Sequence, residues 1–385
     1  MRVALYDMAD PAFPVSLADI DEPPLPGPSW ARVAVELAGI CGSDLHNVFP
    51  DGSGTRIFGP FVGAPMEMGH EVSGTIVEAG DECPLPVGTR VTVDPTLACA
   101  ARGIEPCPMC VVGAYSSCHK LGSKIFTPGF GLGFTVGLGG AWGEQLVAHV
   151  SQLHALPDTV DLRTAVLTEP LSVSVHGILR RPPVDGEPVL VVGAGIIGLT
   201  ALVSLRNLVP ASEVTVLARH PHQAEAARTL GAHHVVVPDA GHDYIATLAE
   251  LGGGTVVGRK DSTLLIGGYP AVVEAVGTGA SLSQAIRFVA QRGVVHFVGC
   301  AAVTTVDLAP AWFKEVDVVG TFCHAADWHD GELVHSFDRA LAMMADGGPA
   351  LGALVTHELP LADLRAACEV ARDKSSGAIK VAVRP

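Results

Sequence analysis

Two lobes, the first rich in β-structure and the second an α/β lobe on a parallel sheet, are what this sequence predicts, and three observations predict them. The 385 residues suffice for two apolar cores. Up to about Pro157, Gly and Pro punctuate short alternating or β-branched runs, among them Arg32 to Glu36, Gly74 to Glu78 and Arg90 to Val93, the texture of strands joined by long loops. From about Val189, apolar runs alternate with helical periods: Val189 to Val192, Glu213 to Leu217, Val235 to Val237, Ala271 to Glu274 and Val294 to Val298, with helices such as Pro221 to Leu230 and Ser281 to Gln291 between them. Such alternation builds βαβ units and a parallel sheet. After about Phe313 the pattern is mixed again and closes on the strand Ala378 to Val383, while residues 252–268 read as a Gly-rich surface loop or short hairpin.

Composition narrows the function classes. With 48% hydrophobic and 17% charged residues the chain is apolar for a globular protein, far from disordered compositions. A formal charge of -16 disfavours nucleic acid and anionic membranes as partners, so an anionic cofactor must be gripped by local cations and backbone N–H groups. Met1 to Asp10 lacks the basic and apolar regions of a secretory signal. Val189 to Leu205 is uncharged, but its glycines suit a strand running into a buried helix better than a membrane span. The expectation is a cytoplasmic protein, in which nine cysteines point to metal or catalysis before disulfides.

The run from Val189 through Gly193, Ala194, Gly195, Ile196, Ile197 and Gly198 is a strand followed at once by G-x-G-x-x-G and an apolar helix. The glycines permit a tight turn, close approach of backbone to pyrophosphate and close helix–strand packing. A Gly-rich turn alone is weak; this one has the strand and helix that the motif requires. The second strand ends in Ala218-Arg219-His220 without a carboxylate. A small residue followed by a guanidinium suits a ribose 2′-phosphate, so NADP(H) is expected over NAD(H). The alternative is that Arg219 is an ordinary solvated side chain.

Three segments carry zinc chemistry. Cys41-Gly42-Ser43-Asp44-Leu45-His46 and Gly69-His70-Glu71 set a thiol, imidazoles and a carboxylate on separate loops of the first lobe, and Glu169 adds a carboxylate before the second. A thiolate, an imidazole and a carboxylate can hold zinc while leaving one position open, as catalysis needs. Singly, each has a bland reading: Cys41 a small hydrophobe, His70 a core histidine, Glu169 a helix-start carboxylate. Cys107, Cys110 and Cys118, with Cys99 upstream, form a second cluster. Four thiolates would close a zinc completely and brace a loop; disulfides are the alternative. Cys83, Cys300, Cys323 and Cys368 are isolated.

In this order the motifs make the chain resemble the medium-chain zinc alcohol and polyol dehydrogenases, sorbitol- and threonine-dehydrogenase-like branch, over essentially its whole length; Gly80, Glu169-Pro170-Leu171 and Gly377-Ala378-Ile379-Lys380 extend the match. The resemblance implies a GroES-like β-rich catalytic domain from residues 1–171 and 315–385, with a Rossmann domain, 172–314, inserted and the active site in the cleft. It implies that Cys41, His70, Glu169 and, as an alternate, Glu71 serve the catalytic zinc. Ser43 would accept the alcohol proton and pass it toward His46 through the cofactor ribose, and Lys380 would neutralise the pyrophosphate. Glu169, where many relatives carry cysteine, points to the polyol branch. The structural site departs from the usual C-x2-C-x2-C-x7-C, because Ile104 stands three residues before Cys107; either Cys99 supplies the fourth thiolate or the site is incomplete. The loop Gly122 to Gly140 and the stretch before Tyr269 are longer than in relatives. The implied activity is hydride transfer between NADP(H) and an alcohol or carbonyl small molecule, a polyol, cyclitol or sugar-like secondary alcohol, in a homodimer or homotetramer. Rival readings are an NAD-dependent simple alcohol or aldehyde dehydrogenase, a zinc-free reductase, which would lack the Cys41 and His70 pair, and a non-catalytic NADP(H)-binding zinc redox sensor.

Overall fold

A computed structural model of the chain describes every residue except 11, 50–63, 124, 127, 128, 130, 239–242, 260, 261, 302 and 347–350. It divides into two compact units, one of Met1–Glu169 with Cys323–Pro385 and one of Pro170–Phe322.

The first unit is built on two sheets. The larger runs Val355–Pro360, Lys380–Arg384, Trp30–Gly39, Glu71–Ala79, Arg90–Val93 and Leu153–Ala155 in spatial order, with Gln145–His149 also paired to Trp30–Gly39. The smaller orders Val15–Asp19, Arg2–Tyr6, Met66–Met68 and Phe134–Thr135. Trp30–Gly39 is buried over most of its length because both sides of its ladder are occupied, by Glu71–Ala79 and by Gln145–His149. That burial explains why the run Arg32 to Glu36 marked only its centre: residues inside a covered sheet lose the alternation that exposes a strand in sequence. The core gathers Trp142, Met66, Met68, Ile76, Val33 and Val383. Two chain segments far apart in sequence thus share one sheet, which delivers Lys380 beside the start of Glu71–Ala79.

The second unit holds a six-stranded parallel sheet ordered His234–Val236, Val214–Leu217, Val189–Val192, Tyr269–Glu274, Val289–Phe297 and Asp317–Gly320. In chain order this is 3-2-1-4-5-6, the doubly wound arrangement that binds dinucleotides at the point where strand order reverses. Val189–Val192 is wholly buried at that centre and feeds the helix Ile196–Leu208. The segment that mimicked a membrane span is therefore a strand and a core helix, and among the described residues no helix is long and apolar enough to cross a membrane. The Gly-rich stretch forms an antiparallel hairpin, Thr255–Val257 with Leu264–Ile266; parts of it, and of the Gly122 to Gly140 loop, lie outside the described residues.

Candidate active site and thiol cluster

Trp30–Gly39 ends at Ile40, and Cys41 caps the short helix Gly42–Val48. The Asp44 carboxylate accepts the Cys41 N–H at 3.1 Å through Oδ2, while Oδ1 lies 3.3 Å from His70 Nδ1. One carboxylate thus ties together the two loops that carry the thiol and the imidazole. Facing a carboxylate with Nδ1 fixes the ring and leaves Nε2 for a metal. His70 follows Gly69, whose φ of +89° admits no side chain and where an added Cβ would fall 2.5 Å from the Trp142 backbone nitrogen. Trp142 in turn donates Nε1–H to the Gly39 carbonyl at 3.0 Å, so the strand ends bearing the site are clamped to each other.

Ligand atoms of Cys41, His70 and Glu71 lie within 4.8 Å of one another. The donor set fits zinc: one soft thiolate, one imidazole, one carboxylate, with fewer than four protein ligands. Glu71 is fully buried, and Gly39 has no Cβ because its carboxylate occupies that space. Glu169, in the first turn of Thr168–Leu179, stands outside this trio, and its Oε1 faces His324 Nε2 at 2.9 Å. Of the two carboxylates expected at the metal, the structure groups the supposed alternate with Cys41 and His70.

Lys380, which the resemblance assigns to the pyrophosphate, pairs with a carboxylate in the structure. Its Nζ contacts both Glu71 oxygens at 2.6 Å and donates to the Ile40 carbonyl at 3.1 Å, with the side chain 1% exposed. Burial works against the ammonium, but Glu71 outweighs it and holds Lys380 above its ordinary pKa. The sheet register accounts for the pairing: Ala382 lies opposite Gly39 and Gly39 opposite Glu71, so Lys380, two residues before Ala382, reaches a buried carboxylate that needs a counter-charge.

Ser43 is buried and His46 exposed, three positions apart on Gly42–Val48. That spacing puts both on one helical face.

The second cluster brings Cys99, Cys107, Cys110 and Cys118 together, with ligand atoms again within 4.8 Å. Cys99 does meet the other three, its Sγ 3.5 Å from that of Cys118. Convergence of four thiols on one centre is what tetrahedral zinc needs, and every cysteine is free of disulfides. Burial resists charge on Cys107, but backbone N–H donors aimed at it, His119 among them at 3.4 Å, lower its pKa to about 6.

In the second unit, a Cβ on Gly198 would fall 1.8 Å from the Gly193 carbonyl, so helix and strand pack closer than any side chain allows. Gly195 caps Ile196–Leu208 and faces open space, the cradle a phosphate would use; Ile196 and Ile197 supply the first N–H groups. Ala218 is buried, its N–H on the Val236 carbonyl, and Arg219 is exposed.

Sequence reasoning gave no role to Asp44, Asp94, His324 or His335. Asp94 Oδ1 lies 3.2 Å from His324 Nδ1, and its Oδ2 lies 3.2 Å from His335 Nε2. Burial works against charge on His324, but Asp94 and Glu169 on its two nitrogens outweigh it and raise its pKa to about 9. Asp44 had a signal, the capping spacing within its own motif; the others had none.

A thiolate–imidazole–carboxylate site and a dinucleotide turn on these two folds define a zinc-dependent oxidoreductase acting on CH–OH groups. Comparison with known proteins agrees. Residues 27–158 match the alcohol dehydrogenase GroES-like domain, and residues 197–346 match the zinc-binding dehydrogenase family. Sorbitol dehydrogenase of Pongo abelii is 30% identical over 351 residues, 88% of this chain and 84% of the relative. L-idonate 5-dehydrogenase of Vitis vinifera is 29% identical over 371 residues, 92% and 88% of the two chains. Among solved structures, 2R,3R-butanediol dehydrogenase from Bacillus subtilis superposes with a TM-score of 0.76 at 26% identity, covering 100% of this chain and 99% of that one. The chain belongs to the zinc-dependent medium-chain polyol dehydrogenase family. It transfers hydride between an alcohol or carbonyl small molecule and a nicotinamide cofactor.

Proposed function

We propose that the chain is an NADP(H)-dependent polyol, cyclitol or sugar-like secondary alcohol dehydrogenase whose zinc is held by Cys41, His70 and Glu71, with Glu169 beside them. The convergence of those three ligand atoms within 4.8 Å carries the reading. Zinc held there supplies a Lewis acid that lowers the pKa of an alcohol oxygen. The chain's own residues do the rest. Asp44 orients the His70 ring, Lys380 balances the Glu71 charge, and Ser43 takes the hydroxyl proton that His46, exposed on the same helical face, delivers to solvent. The pyrophosphate grip falls to the backbone N–H groups at Gly193, Gly195, Ile196, Ile197 and Gly198, since Lys380 is committed elsewhere. Cys99, Cys107, Cys110 and Cys118 would hold a second zinc, which would brace their loop.

Relatives support the substrate class: besides the sorbitol and L-idonate enzymes, L-galactonate-5-dehydrogenase of Escherichia coli K12 is 29% identical over 346 residues. Arg219 supports the cofactor choice, because its exposed guanidinium follows a small buried Ala218 and the run Ala218-Arg219-His220 that ends the strand carries no carboxylate. Exposed Val303, Leu308 and Trp312 supply apolar surface for a homodimer or homotetramer. Steady-state assay of zinc-loaded protein on a panel of polyols, sugar acids and simple alcohols with both cofactors tests the reading. A higher kcat/KM with NADP(H) and a secondary polyol is expected, and Arg219→Ala should cut the NADP(H) preference roughly 10- to 100-fold, the worth of charge-assisted hydrogen bonds. A strong NAD(H) preference would overturn the cofactor assignment.

A further inference from the structure

Glu169 is held by a buried assembly that belongs to the first unit alone. His324 is 0% exposed, and both its ring nitrogens face carboxylates, Nε2 to Glu169 Oε1 at 2.9 Å and Nδ1 to Asp94 Oδ1 at 3.2 Å. Thr96 Oγ1 lies 3.5 Å from Nδ1, and Phe337 meets the ring edge-on at 4.9 Å. Asp94 is itself fixed: Oδ1 accepts the Thr96 N–H at 2.7 Å, Oδ2 faces His335, and its backbone is paired to Gln152 through Asp94 N–H at 2.8 Å and Gln152 Nε2 at 3.0 Å. The chain reaches His324 through Cys323 at a φ of 51°, a left-handed conformation that a non-glycine residue keeps only where the surroundings impose it. An imidazole so confined fixes the Glu169 carboxylate through Oε1, and the carboxylate stands outside the Cys41, His70 and Glu71 trio.

We propose that His324, braced by Asp94, is a positioning residue that fixes the orientation of the Glu169 carboxylate beside Cys41, His70 and Glu71, the residues that would hold the metal. The proposal rests on the zinc reading above. Partners of this kind orient metal-site groups, and their loss typically costs 10- to 100-fold in activity or metal affinity.

The test compares wild type, His324→Leu, His324→Gln, Glu169→Ala and the double variant, each loaded with zinc for kinetics and with cobalt(II) for visible spectra. His324→Leu should lower kcat about 10- to 100-fold with the cofactor KM unmoved, and should alter the cobalt d–d bands as Glu169 is freed. His324→Gln, which keeps an N–H donor toward Glu169, should recover most of both. In the Glu169→Ala background His324→Leu should add little, since nothing remains to be positioned. A folded His324→Leu protein with wild-type kcat and spectrum overturns the proposal, as does a loss that adds in full on Glu169→Ala. Should His324→Leu not fold, Asp94→Asn decides: altered cobalt bands support the brace, and an unaltered spectrum overturns it. Wild type that binds no metal would sink the zinc reading and this proposal together; metal-loaded, active wild type with unaffected variants sinks this one alone.

Discussion

The first unit carries two metal-ligand clusters that use the same thiol chemistry to opposite ends. Cys99, Cys107, Cys110 and Cys118 offer four sulfurs from one continuous loop region, with backbone N–H groups of Cys107, His119 and Lys120 directed at them. Cys41, His70 and Glu71 come from strand ends, and the groups around them, Asp44, Lys380 and Glu169, are charged side chains. A closed set satisfies a metal and stabilises the fold; a set one ligand short leaves a coordination place for chemistry, and its surroundings must carry balancing charge. Ligand count, more than ligand type, separates a brace from a reaction centre.

That contrast can be broken at either end. The largest effect is expected from Cys41→Ser: kcat should fall by about three orders of magnitude, as loss of several kcal/mol of electrostatic stabilisation implies, while thermal unfolding moves little. Steady-state kinetics beside a melting curve check it. Cys107→Ser should do the reverse, lowering Tm by roughly 10 °C through loss of about 3 kcal/mol or more, with kcat per folded molecule nearly kept. Equal effects on both readouts from both variants would erase the distinction.

A smaller effect sharpens a parallel contrast between two wholly buried histidines. His324 lies between carboxylates, whereas His296 in the second unit faces the Gly177 carbonyl at 3.0 Å through Nδ1, and burial lowers its pKa to about 4. Unfolded chains take that proton near pH 6.5, so between about 6.5 and 4 the unfolded state binds more protons. The stabilisation is complete above pH 6.5 and is lost as pH falls toward 4, about 3 kcal/mol in all. Denaturant titrations at pH 7 and 4.5 should show His296→Gln, which keeps a donor for Gly177, less acid-sensitive than wild type; equal sensitivity would contradict the assignment.

How much of this was legible follows from how locally each feature is encoded. The Rossmann turn could be read because Gly193, Gly195 and Gly198 do their work within one strand and one helix. Cys41 and His70 could be read because each sits in a short motif. What the motifs left open was which long-range partner each charged residue meets. Lys380 reads alike in sequence whether it meets a phosphate or a carboxylate, and the pairing of Lys380–Arg384 with Trp30–Gly39 decides for Glu71. Glu169 matches a ligand position, but His324 and Asp94, distant in the chain, determine where its oxygen points. Cys99 filled a gap in a spacing rule only because the loop from Cys99 to Cys107 folds back, the Ile104 N–H bonding the Cys99 carbonyl at 3.2 Å.

Anomalous diffraction at the zinc edge from crystals of the zinc-loaded protein tests the central claim most directly. Two peaks per chain are expected, one in contact with Cys41 Sγ and a His70 ring nitrogen and one among the four sulfurs of Cys99, Cys107, Cys110 and Cys118. A chain active in hydride transfer with no peak between Cys41 and His70 would contradict the account.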